Sequence, residues 1–212
     1  GVALGRWARM ADPSFDFDAA IKRFRQGYSL PLDAKESVRG SRAGELVARC
    51  IVEVGTSSFY TAFGQAMPEP VFRKICQRIA ADEFRHYKLF YTHLKRYLQK
   101  DRISRARRLI IAIGRIAESE DDELAYAYYA ANGDNNQPYD RKVWSDAYMR
   151  GALGLYRREH IDRAVAMTLK AAGLDPQGRM ASFGSRLAYW LLRTRHKRLA
   201  RGFVDEQHLQ AA

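Results

Sequence analysis

Cysteine is scarce in this chain: only Cys50 and Cys76 occur among 212 residues, and no Cys-x-x-Cys pair is present. That excludes a disulfide framework and makes a reducing compartment the simpler setting, with both thiols serving as small buried apolar groups. Long hydrophobic runs are missing too, since no stretch approaches the roughly 18 uncharged apolar residues that a bilayer span requires. The opening "GVALGRWARMADP" is too short and too punctuated by arginine to be a signal peptide. Strand-like alternation is absent. Acid is the minority charge, 24 Asp and Glu against 36 Lys and Arg, and the formal charge of +12 favours an anionic partner without choosing among nucleic acid, lipid headgroups and an acidic carrier protein. The expected location is the cytoplasm, with peripheral attachment to a membrane kept open.

What is present is helix-forming. Ala, Leu, Arg and Lys dominate the long segments, apolar residues recur every three or four positions, and 47% hydrophobic content suffices for a core. The fold class is all-α. "VALGRWARMA" already reads as helix before Asp12 and Pro13 end it, so the chain is expected to start inside an element. A short helix is expected from Asp18 to Gln26, a long one from Ser41 to Gly64, and another from Val71 to Gln99 after the proline-broken "QAMPEP". Further helices are predicted over Ile103 to Ala131, Tyr139 to Gly173 and Met180 to Gly202. Helices of such length joined by short loops make a bundle. The expected organisation is a bundle over residues 1–135 with a C-terminal helical extension over 136–212.

The third and fourth of these helices carry the chemistry. Leu46, Cys50, Glu53, Ser57 and Tyr60 fall on one face of the first, and Phe72, Ile75, Ile79, Glu83, His86 and Phe90 on one face of the second, so three ionisable groups are predicted to point inward. Glu53 lies 15 residues before Pro68 and Glu83 lies 15 after it. Each is about 22 Å from the turn, so an antiparallel pair brings them to one level. Glu83 and His86, three apart, project from the same face. Two carboxylates at one level repel unless a proton or a cation lies between them. A Glu-x-x-His on one helix with a Glu on its neighbour is also the half-site of carboxylate-bridged di-iron bundles, where carboxylates bridge two ions and imidazole gives each a neutral terminal ligand. The competing reading is a buried structural network completed by Arg85 or Arg49. No second Glu-x-x-His exists; Glu159 with Asp162, the run from Glu118 to Glu123, and Asp205 with His208 are the nearest substitutes, and all read as solvated or capping charges.

The stretches "RCIVEVGTSSFYTAF" and "FRKICQRIAADEFRHYKLFYTHLKRYL" resemble the second half of the acyl-carrier-protein desaturases of the ferritin-like superfamily. The resemblance covers about Arg49 to Leu98 and extends to Gly1 to Trp7. It implies a ferritin-like bundle with additional C-terminal helices, Glu53, Glu83 and His86 as ligands of a di-iron centre in which manganese is an alternative, and dioxygen-dependent oxidation. Asp82 looks like the family's outer carboxylate, which would orient a metal-bound histidine of the other half-site; as a surface residue it would pair with Arg78 or Arg85 instead. The family's other half-site, a Glu and an "EExxHG", is implied to lie upstream of Gly1. After Arg102 the chain looks closer to bacterial ferritin-like proteins of unassigned activity, so the resemblance favours an acyl chain as the substrate class without carrying over the substrate's identity. A non-enzymatic helical or membrane-associated subunit that keeps the fold is the alternative.

Two basic segments remain. Leu94 to Arg108 holds seven Lys or Arg and one Asp, and Ser185 to Phe203 holds six with no acid. In the second, Leu187, Trp190, Leu191 and Leu199 are set against Arg193, Lys197 and Arg201. A solvated face, an anionic membrane surface and an acidic carrier protein all fit; nucleic acid fits least, for want of a recognition motif or stacking platform. Tyr126, Tyr128 and Tyr129 read as packing residues.

Overall fold

The computed structural model describes residues 1–28, 37–118, 122–133 and 138–210. These residues form nine helices and no strand: α1 Val2–Ala11, α2 Phe17–Gly27, α3 Arg42–Ala66, α4 Pro70–Asp101, α5 Arg105–Glu118, α6 Asp122–Asn132, α7 Arg141–Gly154, α8 Arg158–Ala172 and α9 Arg179–Gln210. The all-α helical bundle expected from the sequence is what forms. Contacts divide the chain into two units that interleave along the sequence, one of Gly1–Leu30, Glu120–Tyr156 and Leu187–Ala212, the other of Pro31–Ser119 and Arg157–Arg186. The boundary expected at residue 135 lies outside the described residues.

The second unit is built on the α3–α4 hairpin. Ser41 caps α3 by accepting the Gly44 N–H at 3.0 Å, and Glu69 caps α4 by accepting from Val71 and Phe72 at 2.8 and 2.6 Å, with Pro70 in the first turn where its missing N–H costs nothing. The two helices are antiparallel. At the far end Asp101 Oδ2 accepts the N–H of buried Ala43 at 2.8 Å, and beyond it Arg102 ends α4 in the left-handed conformation at φ 42°. Near the turn, Gly64 lets the backbones close: a Cβ there would stand 2.9 Å from Cys76 Cβ. Helices α5 and α8 pack on α3, and Val47, Ile51, Val54, Tyr87, Leu94, Ile111 and Met167 share the core among them. The Tyr87 hydroxyl donates to the Met167 carbonyl at 2.9 Å, which satisfies the one polar atom it brings inside.

One of the long helices expected from the pattern, Tyr139 to Gly173, is divided. Of Ile103 to Ala131, the stretches Arg105–Glu118 and Asp122 onward are described as helix (α5 and α6), and residues 119–121 lie outside the described set. Tyr139 to Gly173 becomes α7 and α8 because Arg157 turns extended at φ −99° and ψ 167°, and its N–H donates to His160 Nδ1 at 3.0 Å. That side-chain acceptor offers the backbone an alternative to continued helix. At the other end of α8, Gly173 adopts φ 77°, and the Leu174 N–H closes on the Leu169 carbonyl at 2.8 Å.

In the first unit α2 packs on α1 and α6, and α6 on α7. Tyr126, Tyr128 and Tyr129 serve as packing: Tyr126 meets Tyr139 at 4.9 Å, and Tyr129 meets Trp144 at 5.4 Å between ring centres. No helix is long and apolar enough, among the described residues, to cross a membrane.

Candidate metal centre

The hairpin brings Glu53, Glu83 and His86 together. One potential ligand atom from each lies within 4.8 Å of the others, and no other group of three His, Cys, Asp or Glu does so among the described residues. His86 Nδ1 is 3.1 Å from Glu83 Oε2 and 3.6 Å from Glu53 Oε2. Two donors each about 2.1 Å from a common ion stand about 3 to 3.5 Å apart, so these spacings suit a shared cation.

Burial is graded along the site. The Glu53 side chain is 11% exposed, Glu83 23% and His86 54%. The expectation of three inward groups is therefore corrected: Glu53 points into the core, Glu83 is half-buried, and His86 stands at the solvent edge. The reason lies in α4, whose buried residues are Phe72, Cys76, Tyr87 and Leu94. Ile75, Ile79 and Phe90 lie beside that row, half-buried, on the flank that carries Glu83.

The electrostatics follow the burial. Desolvation, then the neighbouring Glu83, pushes the Glu53 carboxyl up to about 7, and His86 only partly offsets this. His86 is held above its ordinary value, chiefly by its hydrogen bond to Glu83. Glu53 Oε2 is buried with no hydrogen-bond partner. Cys50, one turn before Glu53, is fully buried and its thiol is pushed up to about 12 by burial and then by Glu53, so it stays a protonated wall residue. Burial also raises Tyr60, with Cys76 and Glu83 adding to the effect.

The cations that a structural network would need are engaged elsewhere. Arg85 pairs with Asp82 on the exposed face of α4, and Arg49 with Glu45 at 3.3 Å. Asp82, expected to orient a histidine of another half-site, thus takes the surface pairing. No family model matches this chain, and no curated protein or solved structure matches it.

Among the described residues, the substitutes for a second half-site form no ligand cluster with the first. Glu159 is 63% exposed, Asp162 pairs with Arg158 at 2.7 Å, and Glu118 is gripped by Arg39 through both oxygens. Residues 119–121 lie outside the described set, as do the side chains of Asp205 and His208.

Sequence reasoning passed over His160, which is buried. Its Nδ1 accepts the Arg157 N–H at 3.0 Å and its Nε2 lies 2.8 Å from Gln65 Oε1, so the neutral tautomer with the proton on Nε2 satisfies both bonds. Burial lowers its pKa accordingly. The signal was available only as a histidine at the third position of a helix, with Gln65 far away in the chain.

Proposed function

We propose that Glu53, Glu83 and His86 hold a transition-metal ion, iron or manganese, as half of a di-iron or mixed iron–manganese centre in a ferritin-like oxidoreductase that uses dioxygen. One observation carries this reading: Glu53 Oε2 is buried with no hydrogen-bond partner, 3.6 Å from the imidazole nitrogen that Glu83 also faces. A buried carboxylate oxygen without a hydrogen bond is costly, and a cation beside it removes the cost. The donor set is hard to borderline, two carboxylates and one imidazole, which suits iron and manganese and does not separate them.

When bound, such a centre supplies activation of dioxygen for oxidation of an organic substrate, by desaturation or hydroxylation. The chain's own residues supply the rest. Glu53 gives a carboxylate anchored in the core, and Glu83 Oε2 and His86 Nδ1, 3.1 Å apart on α4, face it from the other helix, so that an ion between them would take the place of the proton they share in the metal-free protein. Cys50, Val54 and Tyr87 are buried on the same hairpin and keep water from its inner side. By the sequence resemblance, an acyl chain is the favoured substrate, and an oxygenase acting on another organic substrate is equally compatible.

Metal analysis of the purified chain after loading with iron(II), beside Glu83→Ala, tests the reading. Stoichiometric iron in the parent that is lost from Glu83→Ala, with helical content unchanged by circular dichroism, is the expected result. Iron absent from both would leave a non-enzymatic helical subunit as the better description.

A further inference from the structure

Helix α9 is mismatched to its surroundings. Met180 is 54% exposed, Phe183 68%, Leu187 44%, Trp190 60% and Leu191 53%. Met180, Phe183, Leu187 and Trp190 recur in steps of three and four and Leu191 falls four after Leu187, so the five form one stripe along the helix, turned away from buried Ala181 and Ser185. Leu199, grouped with them by sequence, lies off this stripe by its helical position and is half-buried. Beside the stripe runs a second row: Arg179, Arg186, Arg193 and Lys197 share a helical edge and are all exposed. From Gly178 to Val204 the sequence has no Asp or Glu.

We propose that this face of α9 docks on the surface of an anionic lipid bilayer. The helix would lie in the plane of the headgroups, with Phe183, Leu187, Trp190 and Leu191 entering the acyl boundary and the basic row meeting lipid phosphates. Trp190 has the amphipathic ring favoured at that depth. Charge decides against a second copy of the chain: two such faces brought together around a two-fold axis would set acid-free basic rows side by side. Nucleic acid gives no return for burying Met and Leu. An acidic protein would satisfy the arginines and is separated from lipid by the experiment.

The full chain is mixed with phosphatidylcholine vesicles, with and without phosphatidylglycerol, at low and high salt. Binding only to the phosphatidylglycerol vesicles, weakened by salt, is expected, with a blue shift of tryptophan emission that Trp190→Phe removes. The triple variant Arg186→Gln, Arg193→Gln, Lys197→Gln should bind about a hundredfold more weakly, three basic residues each contributing about 1 kcal/mol at an anionic surface. Phe183→Ser with Trp190→Ser should lose at least about tenfold. All these positions are exposed, and circular dichroism checks that helix is retained. The proposal is overturned by equal binding to neutral vesicles, by no binding, by variants that bind like the parent, or by vesicle-independent self-association that the Phe183 and Trp190 changes abolish.

Discussion

His86 Nδ1 on α4 faces Glu53 Oε2 on α3 across the hairpin at 3.6 Å, which joins a solvent-edge imidazole to a core carboxylate. The pair is held apart from surface electrostatics by the burial of Glu53, and held together by the antiparallel register of two long helices. Its consequences can be measured in the metal-free protein before any reaction is known.

Glu53→Gln is expected to raise the stability of the metal-free protein at pH 8. The Glu53 carboxyl sits at about 7, so folding favours its protonated form, and that contribution is complete below the ordinary value of 4.5 and lost as pH rises through about 7. His86, held above its ordinary value, acts in the same direction: its contribution is present below about 6.5 and fades as pH passes its raised value. Gln removes the first of these effects, a gain on the order of 1–2 kcal/mol at pH 8 in urea unfolding and close to none at pH 5. A variant that is destabilised equally at both values would refute the strain assigned to Glu53. The same change should abolish metal retention.

His160→Ala should cost about 2–3 kcal/mol, because it opens a cavity and strands both the Arg157 N–H and Gln65. It should also flatten the acid side of the stability profile. Burial lowers the folded pKa of His160, so its contribution is full above the ordinary value near 6.5 and declines as pH falls below it. Thermal unfolding of the two proteins between neutral pH and pH 5 reads this directly, and parallel curves would contradict it.

Asp101→Ala should destabilise by about 1 kcal/mol, since it leaves the buried Ala43 N–H without its acceptor at the far end of the hairpin. Asp101→Asn keeps an acceptor oxygen and should lose less. Equal losses in denaturant unfolding would mean that charge, not the hydrogen bond, matters at this position.

Gly64→Ala should cost about 1–3 kcal/mol, because the new methyl meets the Cβ of Cys76, an atom fixed to the backbone, at 2.9 Å. Gly55→Ala, also within α3, meets nothing within 4 Å and should stabilise by about 0.5–1 kcal/mol through helix propensity. Opposite signs in one unfolding series are the expected outcome; the same sign for both would refute the close approach of α3 and α4 at Gly64.

Much of the scaffold was legible in the residues because its signals are local. Ser41, the prolines at 68 and 70, and Gly173 mark helix ends through their own backbone chemistry, and residue counting about Pro68 brought Glu53 level with Glu83. The break between α7 and α8 was not legible in the same way. The buried pair of His160 and Gln65 that steadies the start of α8 joins residues 95 apart, and periodicity carries no information about such a pair. The depth of His86 was missed for a related cause: a helical stripe tells which residues share a side, and the neighbours packed on that side decide which of them are covered.

Sequence alone determined that this protein is helical, that α3 and α4 form a hairpin, and that one Glu and a Glu-x-x-His share a level on it, since propensity, capping and chain length act within a few residues. Tertiary structure alone decided that Glu53 is buried with an oxygen that makes no hydrogen bond while His86 meets solvent, and that the apolar stripe of α9 is exposed. Burial depends on which surfaces meet, a property of the assembled helices and of none of them singly.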